Sequence, residues 1–144
     1  MKQLIPILVL LLMGCSSDSP EDQIVALVDD MARAAEDEKM SPLRGAIADD
    51  YRDLRDNDRQ AVLNIMRGVM LRTDNILIFP NVTSIRWATD DYAEVDVSVR
   101  FAGADWERLS LSGSVYDFEL EVRQAGGDWQ IVTARWAEEG GEPR

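Results

Sequence analysis

One change of period constrains this fold more than any other feature. Up to Asn75 the apolar residues recur at helical spacing, and beyond it they alternate. The clearest alternation places Ala93, Val95, Val97, Val99 and Phe101 on one face, with Glu94, Asp96, Ser98 and Arg100 on the other. A second strand has Tyr116, Phe118, Leu120 and Val122 inside, with Asp117, Glu119, Glu121 and Arg123 outside. Period two with one apolar and one charged face is the pattern of an antiparallel sheet covered on one side only. Its cover must be the helices that precede it. The expectation is an α+β domain: three N-terminal helices packed on a curved antiparallel sheet of about four strands.

Each helix carries its own signals. Ser19-Pro20-Glu21-Asp22 supplies a cap, a proline suited to the first turn, and acids at the positive end. Ile24, Leu27, Val28, Met31 and Ala35 then form a stripe, predicting a helix to about residue 38. Ser41-Pro42 predicts a shorter second helix with Leu43, Ile47 and Tyr51 on one stripe. Asn57 or Asp58 caps a third, reaching about Arg72, with Val62, Ile65, Met66 and Val69 buried. Met40, Met66 and Met70 are adaptable fillers near a possible pocket. Between the second and third helices, residues 49–59 hold five Asp and three Arg. Read as a calcium loop from Asp56, the stretch has Ala61 where glycine is required and Arg67 where glutamate is required. It reads instead as a helix junction with caps and solvated ion pairs.

In the sheet half, Ile76 to Phe79 is an apolar run ended by Pro80, and Val82 to Ala88 is a strand candidate. Gly126-Gly127 is a hairpin turn before a last strand, Trp129 to Trp136. The two middle strands suggest a register with Phe101 opposite Tyr116, Arg100 opposite Asp117 and Glu94 opposite Arg123. The last strand is two-sided. If Trp129, Ile131, Thr133 and Arg135 point inward, Arg135 is a buried cation and an anion site. If Gln130, Val132, Ala134 and Trp136 do, the interior stays apolar. A bulge would mix the two sets, and an outward Arg135 is preferred.

The residues before Cys15 read as an address. Met1-Lys2-Gln3 is a positive start, and Leu4 to Met13 is an apolar run of ten residues, about 15 Å as a helix and too short to span a bilayer. Leu12-Met13-Gly14-Cys15 resembles a bacterial lipobox, with Met13 bulkier than usual, and Cys15 is the only cysteine. The resemblance implies a signal peptide over 1–14, cleavage after Gly14, and a diacylglyceryl group on Cys15. That makes the membrane a partner through lipid on Cys15. Ser16, in place of aspartate, favours the periplasmic face of the outer membrane, so the expected location is the cell envelope. Residues 15–19 are then the lipidated cysteine and a short tether, 20–137 the domain, and 138–144 a frayed tail without apolar anchors.

Composition narrows the chemistry. The formal charge of −12 argues against nucleic acid as a partner, because contact with phosphate needs Lys and Arg. There is no histidine, which removes the commonest general base and transition-metal ligand. With Cys15 committed to lipid, no catalytic set, metal-ligand set or cofactor motif can be assembled. The residues left as candidate pocket or partner contacts are Tyr51, Tyr116, Arg135 and Trp106, the last in a polar segment between the two middle strands.

Three helices, then antiparallel strands closing on Gly127-Asp128-Trp129-Gln130-Ile131-Val132-Thr133-Ala134-Arg135-Trp136, together with Ala48-Asp49-Asp50-Tyr51, resemble the nuclear transport factor 2-like superfamily. The resemblance covers about residues 20–137. It implies a cone in which a curved sheet wraps a long helix, often with a pocket at the open end. The superfamily includes ketosteroid isomerases, dehydratases, polyketide cyclase-like enzymes and non-catalytic binding modules, so the fold leaves function open. The leading expectation is a lipoprotein domain that binds a small apolar ligand or an envelope protein without catalysis, as a monomer or weak dimer. A His-free isomerase or lyase and a structural accessory subunit of an envelope complex are the alternatives.

Overall fold

A computed structural model describes residues 18–73, 75–102 and 115–138. Cys15 with the leader, Trp106, and the tail beyond residue 138 lie outside the described residues. The element order is α1 (Pro20–Glu36), α2 (Met40–Ala46), α3 (Arg59–Met70), β1 (Leu77–Thr89), β2 (Tyr92–Ala102), β3 (Val115–Ala125) and β4 (Asp128–Glu138). The four strands form one antiparallel sheet in the order β1-β2-β3-β4. The helices pack on one face of it.

Helix starts follow the sequence signals. Ser19 Oγ accepts from the Asp22 backbone N–H at 3.1 Å, and Asp22 accepts from the Ser19 backbone N–H at 3.3 Å, closing a capping box. Asp58 caps α3 through the Ala61 backbone N–H at 2.8 Å. The second helix differs from expectation: it ends at Ala46, and neither Ile47 nor Tyr51 is helical. Ile47 is extended and forms a parallel bridge with Ile131. The Ala48 N–H donates to the Ile131 carbonyl at 2.9 Å, and the Arg52 N–H to the Val132 carbonyl at 3.1 Å. Carbonyls of β4 thus draw this segment off its helix. Both residues are still buried, Tyr51 at 2 % exposure.

β1 is one strand running through Pro80. It is an edge strand, the place in a sheet where a residue without an N–H is tolerated. At the other hairpin, Gly126 (φ 61°) and Gly127 (φ 90°) supply the positive φ values that the two-residue turn requires.

The expected register of β2 on β3 is corrected by two residues. Tyr116 lies opposite Val99, not Phe101, and Arg100 lies opposite Val115, not Asp117. A slide of two keeps every side chain on its face, so the apolar pattern cannot choose between the registers. Across the pair itself, Glu121 of β3 accepts from the Tyr92 hydroxyl of β2, a contact that a slide of two residues would break. From the flanking strands, Asp96 and Glu94 pair with Arg86 of β1, and Glu119 pairs with Arg135 of β4. Arg123, expected near Glu94, instead grips Asp50 at 2.7 Å. Arg86 and Arg135 thus offset the like-charged Asp96–Glu119 neighbours, and Arg86 with the Tyr92 hydroxyl eases Glu94 against Glu121.

Candidate functional site

Inward positions of the sheet grade from packed to open. Along β2, Ala93 and Val95 are fully buried, Val97 and Val99 are 2 % and 8 % exposed, and Phe101 is half-buried. Along β3, Val122 and Leu120 are buried, whereas Phe118 and Tyr116 are half-buried. The graded side holds a cavity of about 340 Å³, within the range of small-molecule sites. Val28, Met31, Ala32 and Ala35 of α1 wall it, facing Ile65, Met66, Val69 and Met70 of α3. Its floor is Val97, Val99 and Phe101 of β2, Tyr116, Phe118 and Leu120 of β3, and Ile131, Ala134 and Trp136 of β4.

This cavity explains a departure in α3. The expected stripe of Val62, Ile65, Met66 and Val69 is buried only at Val62, and Ile65 is 45 % exposed. Ile65, Met66 and Val69 face the chamber instead of packed core. Met66 and Met70 line the chamber as the pocket reading expected, while Met40 packs against the core elsewhere.

Of the four candidate contacts, the structure brings Tyr51 and Tyr116 to the cavity. Tyr116 stands towards its open end, edge-on to Phe101 with ring centroids 5.8 Å apart. Arg135 does not reach the cavity: it lies on the opposite sheet face, paired with Glu119, which is the preferred outward reading. The cause is a bulge at Val132, across which Val122 faces Ile131 while Glu121 faces Thr133. Before the bulge Trp129 and Ile131 point inward, and after it Ala134 and Trp136 do. Neither alternating set alone describes the strand.

Asp53 was hidden in the acidic stretch and is not a solvated ion-pair member. It is 8 % exposed. Its carboxylate accepts from the Arg55 N–H at 2.9 Å, the Asn57 N–H at 3.0 Å, Asn57 Nδ2 at 2.9 Å, and the Tyr51 hydroxyl at 3.4 Å. Burial alone would raise its pKa. The hydrogen bonds from Asn57, Arg55 and Tyr51 outweigh burial and hold the carboxyl below its ordinary value. The Tyr51 hydroxyl moves the other way, pushed well up by burial and then by the Asp53 charge. The pair is thus a neutral phenol donating to a saturated carboxylate. The Asx-x-x-x-Asn spacing of Asp53 and Asn57 was the available sequence signal, masked by the acids around it.

Chemically, the chamber is poor in reactive groups. Among the described residues that line it, only Tyr51, Tyr116 and Trp136 carry side-chain N–H or O–H donors, and no carboxylate, amine or guanidinium does. Among the described residues no cluster of three acidic side chains is placed to hold a metal ion. A second concavity, about 640 Å³, runs between α1, α2 and the β3–β4 turn. It is lined mostly by exposed residues, Asp18, Asp30, Pro42, Gly45 and Asp128 among them, and is a surface crease.

No family model matches the chain, and no curated protein matches it in sequence. Solved structures do match in shape. A scytalone dehydratase-like protein of Novosphingobium aromaticivorans superposes with a TM-score of 0.69 at 13 % identity, over 85 % of this chain and 84 % of that one. Hexachlorocyclohexane dehydrochlorinase LinA-type3 of Novosphingobium barchaimii gives 0.66 at 13 % identity, over 86 % and 89 %. A nuclear transport factor 2-like protein of unknown function from Silicibacter pomeroyi gives 0.59 at 20 % identity, over 81 % and 92 %. The three helices, the open four-stranded sheet and the cavity between them are thus the nuclear transport factor 2-like cone, an α+β fold.

Proposed function

We propose that this protein is a cell-envelope lipoprotein, held through lipid on Cys15 at the periplasmic face of the outer membrane, whose cone binds one small apolar molecule without catalysis. The observation that carries the binding role is the 340 Å³ chamber, whose described lining offers apolar walls and the neutral donors of Tyr116 and Trp136, the Tyr51 hydroxyl being taken by Asp53. A general acid or base must reach the substrate with a suitable pKa. Asp53 lies behind Tyr51, is fully hydrogen-bonded and is held in its weakly basic form. The domain acts as a monomer or weak dimer, because covering the outer sheet face would desolvate its ion pairs.

The test is native mass spectrometry of the protein purified from its own membranes, followed by titration with N-phenyl-1-naphthylamine, an apolar fluorescent probe. A bound small molecule, and probe binding at one site per chain that this molecule displaces, support the proposal. Absence of both sinks it. A stoichiometric co-purifying protein with no small molecule supports an accessory role in an envelope complex.

A His-free lyase or isomerase is the second reading. The buried Tyr51–Asp53 pair on the chamber wall favours it, and two of the structural neighbours are named for elimination chemistry. Conversion of the captured molecule that Tyr51→Phe abolishes, with probe binding retained, would establish it over simple binding.

A further inference from the structure

The two ends of the cone differ, and α1 spans the distance between them. The end bearing the 89–92 and 125–128 turns is solid: Ile24, Ala93, Val122 and Trp129 are buried there, and none of them lines the cavity. The cavity opens at the other end, where β1 begins and β4 finishes, among half-buried Ile78, Phe101, Tyr116 and Trp136. α1 starts at the solid end. Trp87 Nε1 donates to Glu21 and Trp129 Nε1 to Gln23, both at 3.1 Å. It finishes at the mouth, where Glu36 Oε1 accepts from the Ile78 backbone N–H at 2.6 Å. Its 17 residues rise about 25 Å.

Cys15 joins the domain at the solid end, through Ser16, Ser17, Asp18 and Ser19. Four extended residues reach about 13–14 Å. With the mouth pressed on the bilayer, the start of α1 would stand about 25 Å above it, beyond that reach. We infer that the mouth cannot lie against the bilayer that anchors the chain. It opens to the aqueous compartment, and the apolar ligand arrives from that side rather than from the anchoring leaflet. This rests on the proposed lipid anchor at Cys15.

The experiment uses the full-length lipidated protein in phosphatidylethanolamine–phosphatidylglycerol vesicles containing a headgroup-attached nitroxide quencher. Since Cys15 is the only cysteine and lipid occupies it, Asp90→Cys at the solid end and Leu77→Cys at the mouth each accept a single fluorophore. Both positions are exposed. The expected result is strong loss of fluorescence at position 90 and little at position 77. Equal or greater loss at position 77 overturns the orientation while leaving the anchor intact. An unmodified Cys15 in the intact-mass spectrum overturns the anchor, and the orientation with it.

Discussion

The Tyr51 hydroxyl lies 3.4 Å from Asp53 Oδ2, and both residues are buried beside the cavity wall. Asp53 also ties down its own loop by accepting from Arg55 and Asn57. Replacing it with alanine removes the acceptor from those donors and leaves the buried Tyr51 hydroxyl without its partner. Asp53→Ala should lower unfolding free energy by about 2–3 kcal/mol, and Tyr51→Phe by about 1 kcal/mol. Urea denaturation followed by circular dichroism checks both; equal effects would show that the Arg55 and Asn57 hydrogen bonds add nothing beyond the Tyr51–Asp53 bond.

The same carboxyl gives an acid dependence. Its folded pKa lies below the unfolded value of about 3.9. The stabilisation it provides is therefore present above that value and lost as pH falls through the folded pKa. Asp96, held low by hydrogen bonds from Arg86 and Ser84, acts in the same direction. Stability should be flat near neutrality and fall below about pH 4, with a shallower fall in Asp53→Asn. An acid titration at fixed urea measures this; an unchanged slope in the variant would assign the loss to other groups.

Ala35 projects from α1 into the cavity. Ala35→Phe should occupy space left open among the described residues, raising the melting temperature while abolishing binding of N-phenyl-1-naphthylamine. Retained binding would place the probe elsewhere, the 640 Å³ crease being the next location to examine.

Arg135 and Glu119 pair across the outer face, each side chain 47 % exposed. An ion pair so open to solvent contributes at most about 1 kcal/mol. Arg135→Ala should change stability by less than that and leave probe affinity unaltered. A large loss of affinity would mean that Arg135 serves the site through the sheet.

Deleting Val132 removes the bulge residue and joins Ile131 directly to Thr133. Simple alternation then keeps Thr133 and Arg135 outward and Ala134 and Trp136 inward. The expected outcome is a folded domain with native-like near-ultraviolet circular dichroism of the tryptophans and reduced stability, because the Arg52 N–H loses the Val132 carbonyl. Loss of the tryptophan signals would mean that the sheet cannot close on residues 47–52 without the bulge.

The sequence by itself determined the elements and which side of most of them is apolar. Ser19 and Asp58 cap real helices because capping is local, satisfying backbone N–H groups within three residues. Alternation from Ala93 to Phe101 and from Tyr116 to Val122 specified the buried faces because side chains on a strand can point only two ways. Tyr116 was legible on the inward face of its strand, whereas Tyr51 was expected on a helical stripe that the structure does not form. Tertiary structure alone decided the rest. The register of β2 on β3 shows in the Tyr92 hydroxyl reaching Glu121 across the pair. The outward Arg135 depends on one unpaired residue, Val132, whose carbonyl accepts from Arg52 some eighty positions earlier in the chain. The burial of Asp53 depends on a loop folding back on itself, and the chamber depends on three helices stopping short of closing the sheet's open end. The outward Arg135 and the chamber are set by contacts between residues far apart in the chain, and such contacts leave no local period to read.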